Sequence, residues 1–180
     1  MRYGLLLASF LAALVAATSA LAAPPAGEAL PAGDGPALVS GPTQIAPSEV
    51  PGLGVGPVRG AGAVKGTAGF GGAVVNCWAG TARSGSSDWS GHIYIYQHLY
   101  WCGNGVVVTY ATASQTYEQA GWYTLTNYFG PWWSGGCAGC AYQRVSGYIL
   151  WNWRTALINV SHSGTTNLDT TMWAYGGVTF

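Results

Sequence analysis

Along the segment HIYIYQHLYW, apolar and polar positions alternate with period two: Ile93, Ile95, Gln97 and Leu99 fall on one side, and His92, Tyr94, Tyr96 and His98 on the other. Only an extended chain sends successive side chains to opposite faces, so the pattern predicts a strand. Similar runs occur at Val106 to Ala111, Trp122 to Phe129, Tyr142 to Trp153, Ala156 to Ser161 and Thr170 to Tyr175. Gly-Asn-Gly, Gly-Pro, Gly-Gly and His-Ser-Gly-Thr-Thr-Asn segments separate them and carry turn chemistry. No segment offers a convincing helix. Six or seven short strands in about 105 residues predict an all-β fold, an antiparallel β-sandwich with a small β-barrel as the alternative.

The pattern stops short of the N-terminus. Arg2 followed by the apolar run Leu5 to Leu21, closed by Ala20-Leu21-Ala22, reads as a signal peptide over residues 1–22. That implies export, to the medium or the cell envelope. No later stretch is apolar for long enough to span a bilayer as a helix, so no transmembrane segment is expected in the mature chain. Residues 23–72 are mostly Ala, Gly, Pro, Val and Ser, with Phe70 as the only aromatic. So few large side chains bury too little area to offset backbone ordering, at about 1 to 2 kcal/mol per residue, and the segment reads as a disordered linker. The folded domain is then residues 73–180, which hold all nine Trp and all four Cys.

Composition narrows the function. Charged residues make up 7% of the chain and the formal net charge is zero, so no basic stripe is present for counterion release and nucleic acid is not an expected partner. From residue 73 onward only Arg83, Arg144 and Arg154 are positive, and only Asp88, Glu118 and Asp169 are carboxylates. Sheet edges therefore lack Lys protection, which keeps self-association among the hypotheses. Four cysteines in an exported domain read most simply as two disulfides, drawn from Cys77, Cys102, Cys137 and Cys140 in one of three connectivities. A redox role for CAGC needs a βαβ context that an all-β pattern lacks. A zinc site from His98, Cys102 and the CxxC lacks a second CxxC and sits in an oxidising compartment, so no metal and no cofactor is expected.

His92 and His98 share a strand face but lie about 20 Å apart, too far to share a metal, and His162 falls in a turn. A hydrolase would use Asp88 and Glu118, both in loop-like segments, as its paired carboxyls; no surrounding pattern marks them, and loop capping is the simpler role. No G-x-S-x-G elbow supports a Ser nucleophile. The Trp content is the informative feature, because a flat apolar ring with a polar tip suits both core filling and stacking on a sugar ring. Trp132 and Trp133 cannot both point inward from an extended segment, while Trp151 and Trp153, two apart, share a face. These four are the candidate ligand-binding residues, and an extracellular or cell-wall polysaccharide is the candidate partner. The expectation is a secreted, non-enzymatic glycan-binding module; the alternatives are a self-assembling surface protein, a toxin-like effector and, third, the Asp88/Glu118 hydrolase.

The order of Cys77, HIYIYQHLYWCGNGVVVTY with its His98-x-x-Trp101-Cys102 core, GWYTLTNYFG and GYILWNW resembles a group of secreted, Trp-rich proteins of actinobacteria and related Gram-positive bacteria. The resemblance covers about 100 residues. The group's pattern H-x-x-W-C-W-x-G is interrupted here by Gly103 in place of the second Trp. What the resemblance implies is export, an all-β domain and a Cys77 to Cys102 pairing, with no established activity, substrate or catalytic residue. It has no counterpart for CAGC, which leaves a local Cys137 to Cys140 bridge or a crossed pairing open.

Overall fold

The computed structural model describes residues 33–53, 75–155 and 160–180, all within one unit, Pro31–Phe180. The signal-peptide reading, the ends of the linker reading (residues 23–32 and 54–72) and part of the Ala156 to Ser161 run lie outside the described residues. The strands are β1 (Gly33–Ile45), β2 (Asn76–Asp88), β3 (Gly91–Gly103), β4 (Val108–Gly121), β5 (Tyr123–Gly136), β6 (Tyr142–Arg154), β7 (Ser161–Trp173) and β8 (Val178–Thr179), with one 3₁₀ turn at Pro47–Glu49. They form two four-stranded antiparallel sheets, ordered β1-β2-β3-β4 and β5-β6-β7-β8. The sheets pack face to face without closing, so the fold is a β-sandwich and not a barrel.

The alternation read from the sequence decides which face is inside. On β3, Ile93, Ile95, Gln97 and Leu99 are fully buried and His92, Tyr94, Tyr96 and His98 are only partly so. They meet Val145, Ile149, Trp151, Trp153, Leu168 and Met172 from the second sheet in one core. Gln97 is the polar exception, and it is satisfied: its Nε2 donates to the Leu168 carbonyl at 2.9 Å and its Oε1 accepts from Thr170 Oγ1 at 2.6 Å. A buried amide paired across the interface fixes how one sheet sits on the other. The chain changes sheets at Gly121, whose positive φ of 69° sets it where an added Cβ would lie 1.8 Å from the Ser90 carbonyl oxygen. Only glycine fits that corner.

Three sequence expectations are corrected. Residues 33–53 are not linker: β1 is an edge strand paired with β2, interrupted by three register shifts. Its side chains are almost all exposed, so it is held by backbone hydrogen bonds, which need no large residues and leave no hydropathy period. Val50 and the partly buried Ile45 and Leu53 then cover Cys77, Cys102 and Tyr110 in a second small cluster, and Tyr110 donates to the Pro51 carbonyl at 2.6 Å. His162 to Asn167 is not a turn but the first half of β7. Gly164 is needed there because the Trp151 indole lies over it, 2.2 Å from where a Cβ would stand. Gly130-Pro131 is likewise inside β5, at a register shift rather than a turn.

Candidate functional site

Trp151 and Trp153 share a face, and that face is the core. Trp151, 8% exposed, packs on Tyr123 and donates from Nε1 to Thr166 Oγ1 at 3.0 Å. Trp153, 2% exposed, lies between Trp122 and His162 and donates to Ser90 Oγ at 2.7 Å. Both polar tips are satisfied internally, so these two are structural and form no surface platform. Trp132 and Trp133 take opposite faces of β5: Trp133 packs against the core, whereas Trp132 is 43% exposed.

Around Trp132 the outer face of the second sheet builds an array that no single residue announced. In antiparallel register, Trp132 pairs with Ser146 and Ser146 with Asp169; one row on, Phe129 pairs with Tyr148 and Tyr148 with Asn167. Residues in one row share a face about 5 Å apart, and rows follow at about 6.6 Å. The rings respect that geometry: Phe129 stacks on Tyr148 at 4.6 Å, and Trp132 stands edge-on to Tyr148 at 5.9 Å. Asn127, Asn152, Asn167 and Asp169 are exposed on the same face. A small recess lined by Ala113, Pro131, Trp132, Trp133 and Val145 borders the array. Exposed rings ringed by amides and a carboxylate can do two things at once, stack on an apolar C–H surface and hydrogen-bond hydroxyls.

The outer face of the first sheet is different. Asp34, Gly85, Tyr94 and Glu118 form one row across its four strands. Asp34 accepts from Ser87 Oγ at 2.6 Å and from the Tyr94 hydroxyl at 2.9 Å, and the Ser87 hydroxyl above all holds its carboxyl below the usual range. Glu118 accepts from the Tyr96 hydroxyl at 2.7 Å and sits 3.3 Å from His92 Nε2. The Tyr96 bond, then the His92 bond, lower its pKa too. Arg83 lies 4.3 Å over the Tyr94 ring, and His98 bridges Thr81 and Thr116. These groups satisfy one another, as a polar cover for a sheet that has no Lys.

The hydrolase pair does not assemble. Asp88 ends β2 in the β2–β3 hairpin, where it accepts from the Ser90 backbone and from the Tyr123 hydroxyl. Glu118 is on β4, not in a loop, and its partners Tyr96 and His92 lie on the outer face. One carboxylate therefore serves the core side of the first sheet and the other its outer side. Burial, with Asp88 nearby, pushes the Tyr123 hydroxyl up to about 12. Cys77 is bonded to Cys102 and Cys137 to Cys140, which leaves no thiolate. The CAGC loop acts as a clasp, with Gly139 and Cys140 exchanging backbone hydrogen bonds with Val108 of the opposite sheet at 2.7 Å each.

Sequence reasoning missed Phe129, Tyr148 and Arg144 because it weighted Trp alone. The signal was present in β6, where Tyr142, Arg144, Ser146 and Tyr148 alternate with Gln143, Val145 and Ile149; the parity of Ile149 already assigns Trp151 and Trp153 to the core. Among the described residues no helix is long and apolar enough to cross a membrane. No protein-family model, curated protein or solved structure matches the chain.

Proposed function

We propose that this protein is a secreted glycan-binding module, working at the cell envelope or in the medium without chemistry of its own, and that the outer face of the second sheet is its binding surface. The observation that carries this reading is the exposed Trp132 set against the Tyr148–Phe129 stack, with amide and carboxylate side chains in the adjoining register positions. A sugar ring offers an apolar face and a polar rim, and this surface complements both. The two disulfides suit an oxidising compartment. Co-sedimentation of the purified protein with insoluble peptidoglycan, cellulose and chitin tests the reading. Saturable pelleting with one polymer, abolished by Trp132→Ala and weakened by Tyr148→Ala, is the expected result; no pelleting, or pelleting indifferent to Trp132→Ala, overturns it.

Self-assembly is favoured by one separate observation. Among the described residues β7 is paired on its outer side only at Thr171 and Met172, by β8, and its thirteen pairs with β6 run without a register shift. A stretch from Ser161 to Thr170 with no outer partner among the described residues is a template for another strand. Sedimentation velocity over a hundredfold concentration range decides it: larger species growing with concentration support assembly, and a constant monomer refutes it.

A further inference from the structure

Arg144 stands in the middle of the proposed glycan surface. Along β6 the outward positions run Tyr142, Arg144, Ser146, Tyr148. Tyr142 is in register with Trp173, whose ring is 5.4 Å away, and Trp173 stacks on the exposed Tyr175 at 6.0 Å. Arg144 thus has one aromatic cluster on each side, Trp132–Tyr148–Phe129 and Tyr142–Trp173–Tyr175, over a track of about 20 Å at 3.3 Å per residue. Its Nε donates to Thr171 Oγ1 at 3.0 Å, which orients the guanidinium, and its Nη groups have no acceptor among the described residues. Asp169 lies one row away, beside Ser146, and makes no ion pair with it. Among the described residues this face carries Arg144 and Arg154 together with Asp169, whereas the outer face of the first sheet carries Asp34 and Glu118 together with Arg83.

Resting on the glycan reading above, we infer that the ligand is a carboxylated polysaccharide, with pyranose rings stacked on both aromatic clusters and a ring carboxylate held by Arg144. A planar fork of N–H donors, permanently charged and oriented by one internal bond, matches a carboxylate in a way that a neutral hydroxyl does not use. The aromatic clusters require rings on either side of the acid, which a poly(glycerol phosphate) lacks. Asp169, one row from the cation, accepts from hydroxyls of the neighbouring ring.

Affinity electrophoresis of the purified protein in gels containing polygalacturonate, poly(glycerol phosphate) teichoic acid or hydroxyethyl cellulose separates the cases. The expected result is strongest retardation by polygalacturonate, weakened about tenfold or more by Arg144→Gln, the loss of one charge-assisted contact. Arg144→Lys, which keeps the charge but not the fork, restores part of it. Arg144→Gln weakens hydroxyethyl cellulose retardation far less than polygalacturonate retardation, and Trp132→Ala weakens retardation by both pyranose polymers. Polygalacturonate binding indifferent to Arg144→Gln, or a preference for teichoic acid, overturns this inference; Trp132-dependent binding to the neutral polymer alone overturns it and leaves the glycan reading standing. No retardation in any gel overturns both.

Discussion

Two tryptophans of this chain separate stability from recognition. Trp151 fills the space between the sheets, so Trp151→Ala leaves a cavity and an unpaired Thr166 hydroxyl, and is expected to cost about 3 to 5 kcal/mol in urea denaturation. Trp132 has open solvent on one side, so Trp132→Ala is expected to move the unfolding midpoint little while removing polymer binding. A matching loss of stability in both variants would contradict this division. Titratable residues give a second test. Asp34 has its folded pKa below the ordinary value of 3.8, so its contribution is present above the unfolded pKa and is lost as pH falls through the lower folded value. Tyr123 has the opposite sign: its pKa rises from 10.0 to about 12, and its contribution holds below 10 and is lost progressively as pH rises to about 12. Thermal melts across pH are expected to drop at both ends. Asp34→Asn should flatten the acid limb, and Tyr123→Phe the alkaline one.

Elements explain what could be read from the chain and what could not. β3 and β6 were legible because each has one face in the core and one outside, and that asymmetry writes period two into the residues. β1 was illegible because an edge strand with neither face buried carries no such period. The Pro residues in β1 and β5, together with their register shifts, blunt those edges in place of the absent Lys. The candidate site was half legible: Trp132 followed from residue type, but Tyr148, Phe129 and Arg144 become neighbours only through the register of β5 on β6. The short segment after β1 also has a consequence for chemistry. It covers Cys77 and Cys102 with Val50 and Leu53, whereas Cys137 is exposed in its loop. Brief treatment with dithiothreitol followed by alkylation and peptide mapping is expected to label Cys137 and Cys140 first. Val50→Asp, which opens the cover, should bring Cys77 and Cys102 into the labelled set; equal labelling of all four cysteines in the unaltered protein would contradict the covering role.

At the scale of the whole molecule, most of the charges among the described residues lie on two unlike outer faces. One is self-satisfied, each carboxylate already bonded to tyrosine. The other keeps exposed rings, amides and an arginine whose Nη groups have no acceptor among the described residues. Gln97 holds the two sheets in a fixed relation, so replacing it with Leu should strand the Leu168 carbonyl and the Thr170 hydroxyl, at about 1 to 3 kcal/mol for each buried group left unpaired. The central claim is that the second face, and not the first, meets the ligand. The nine indole N–H groups are its natural reporters, followed by ¹H–¹⁵N correlation spectra during titration with soluble oligogalacturonate, cellotetraose and peptidoglycan fragments. The account predicts that the Trp132 and Trp173 signals move with at least one of these while those of Trp101, Trp151 and Trp153 stay in place. Signals that stay still with all three, or that move only for Trp89, 74% exposed in the β2–β3 hairpin, and the Trp122 ring packed edge-on against it, would contradict it.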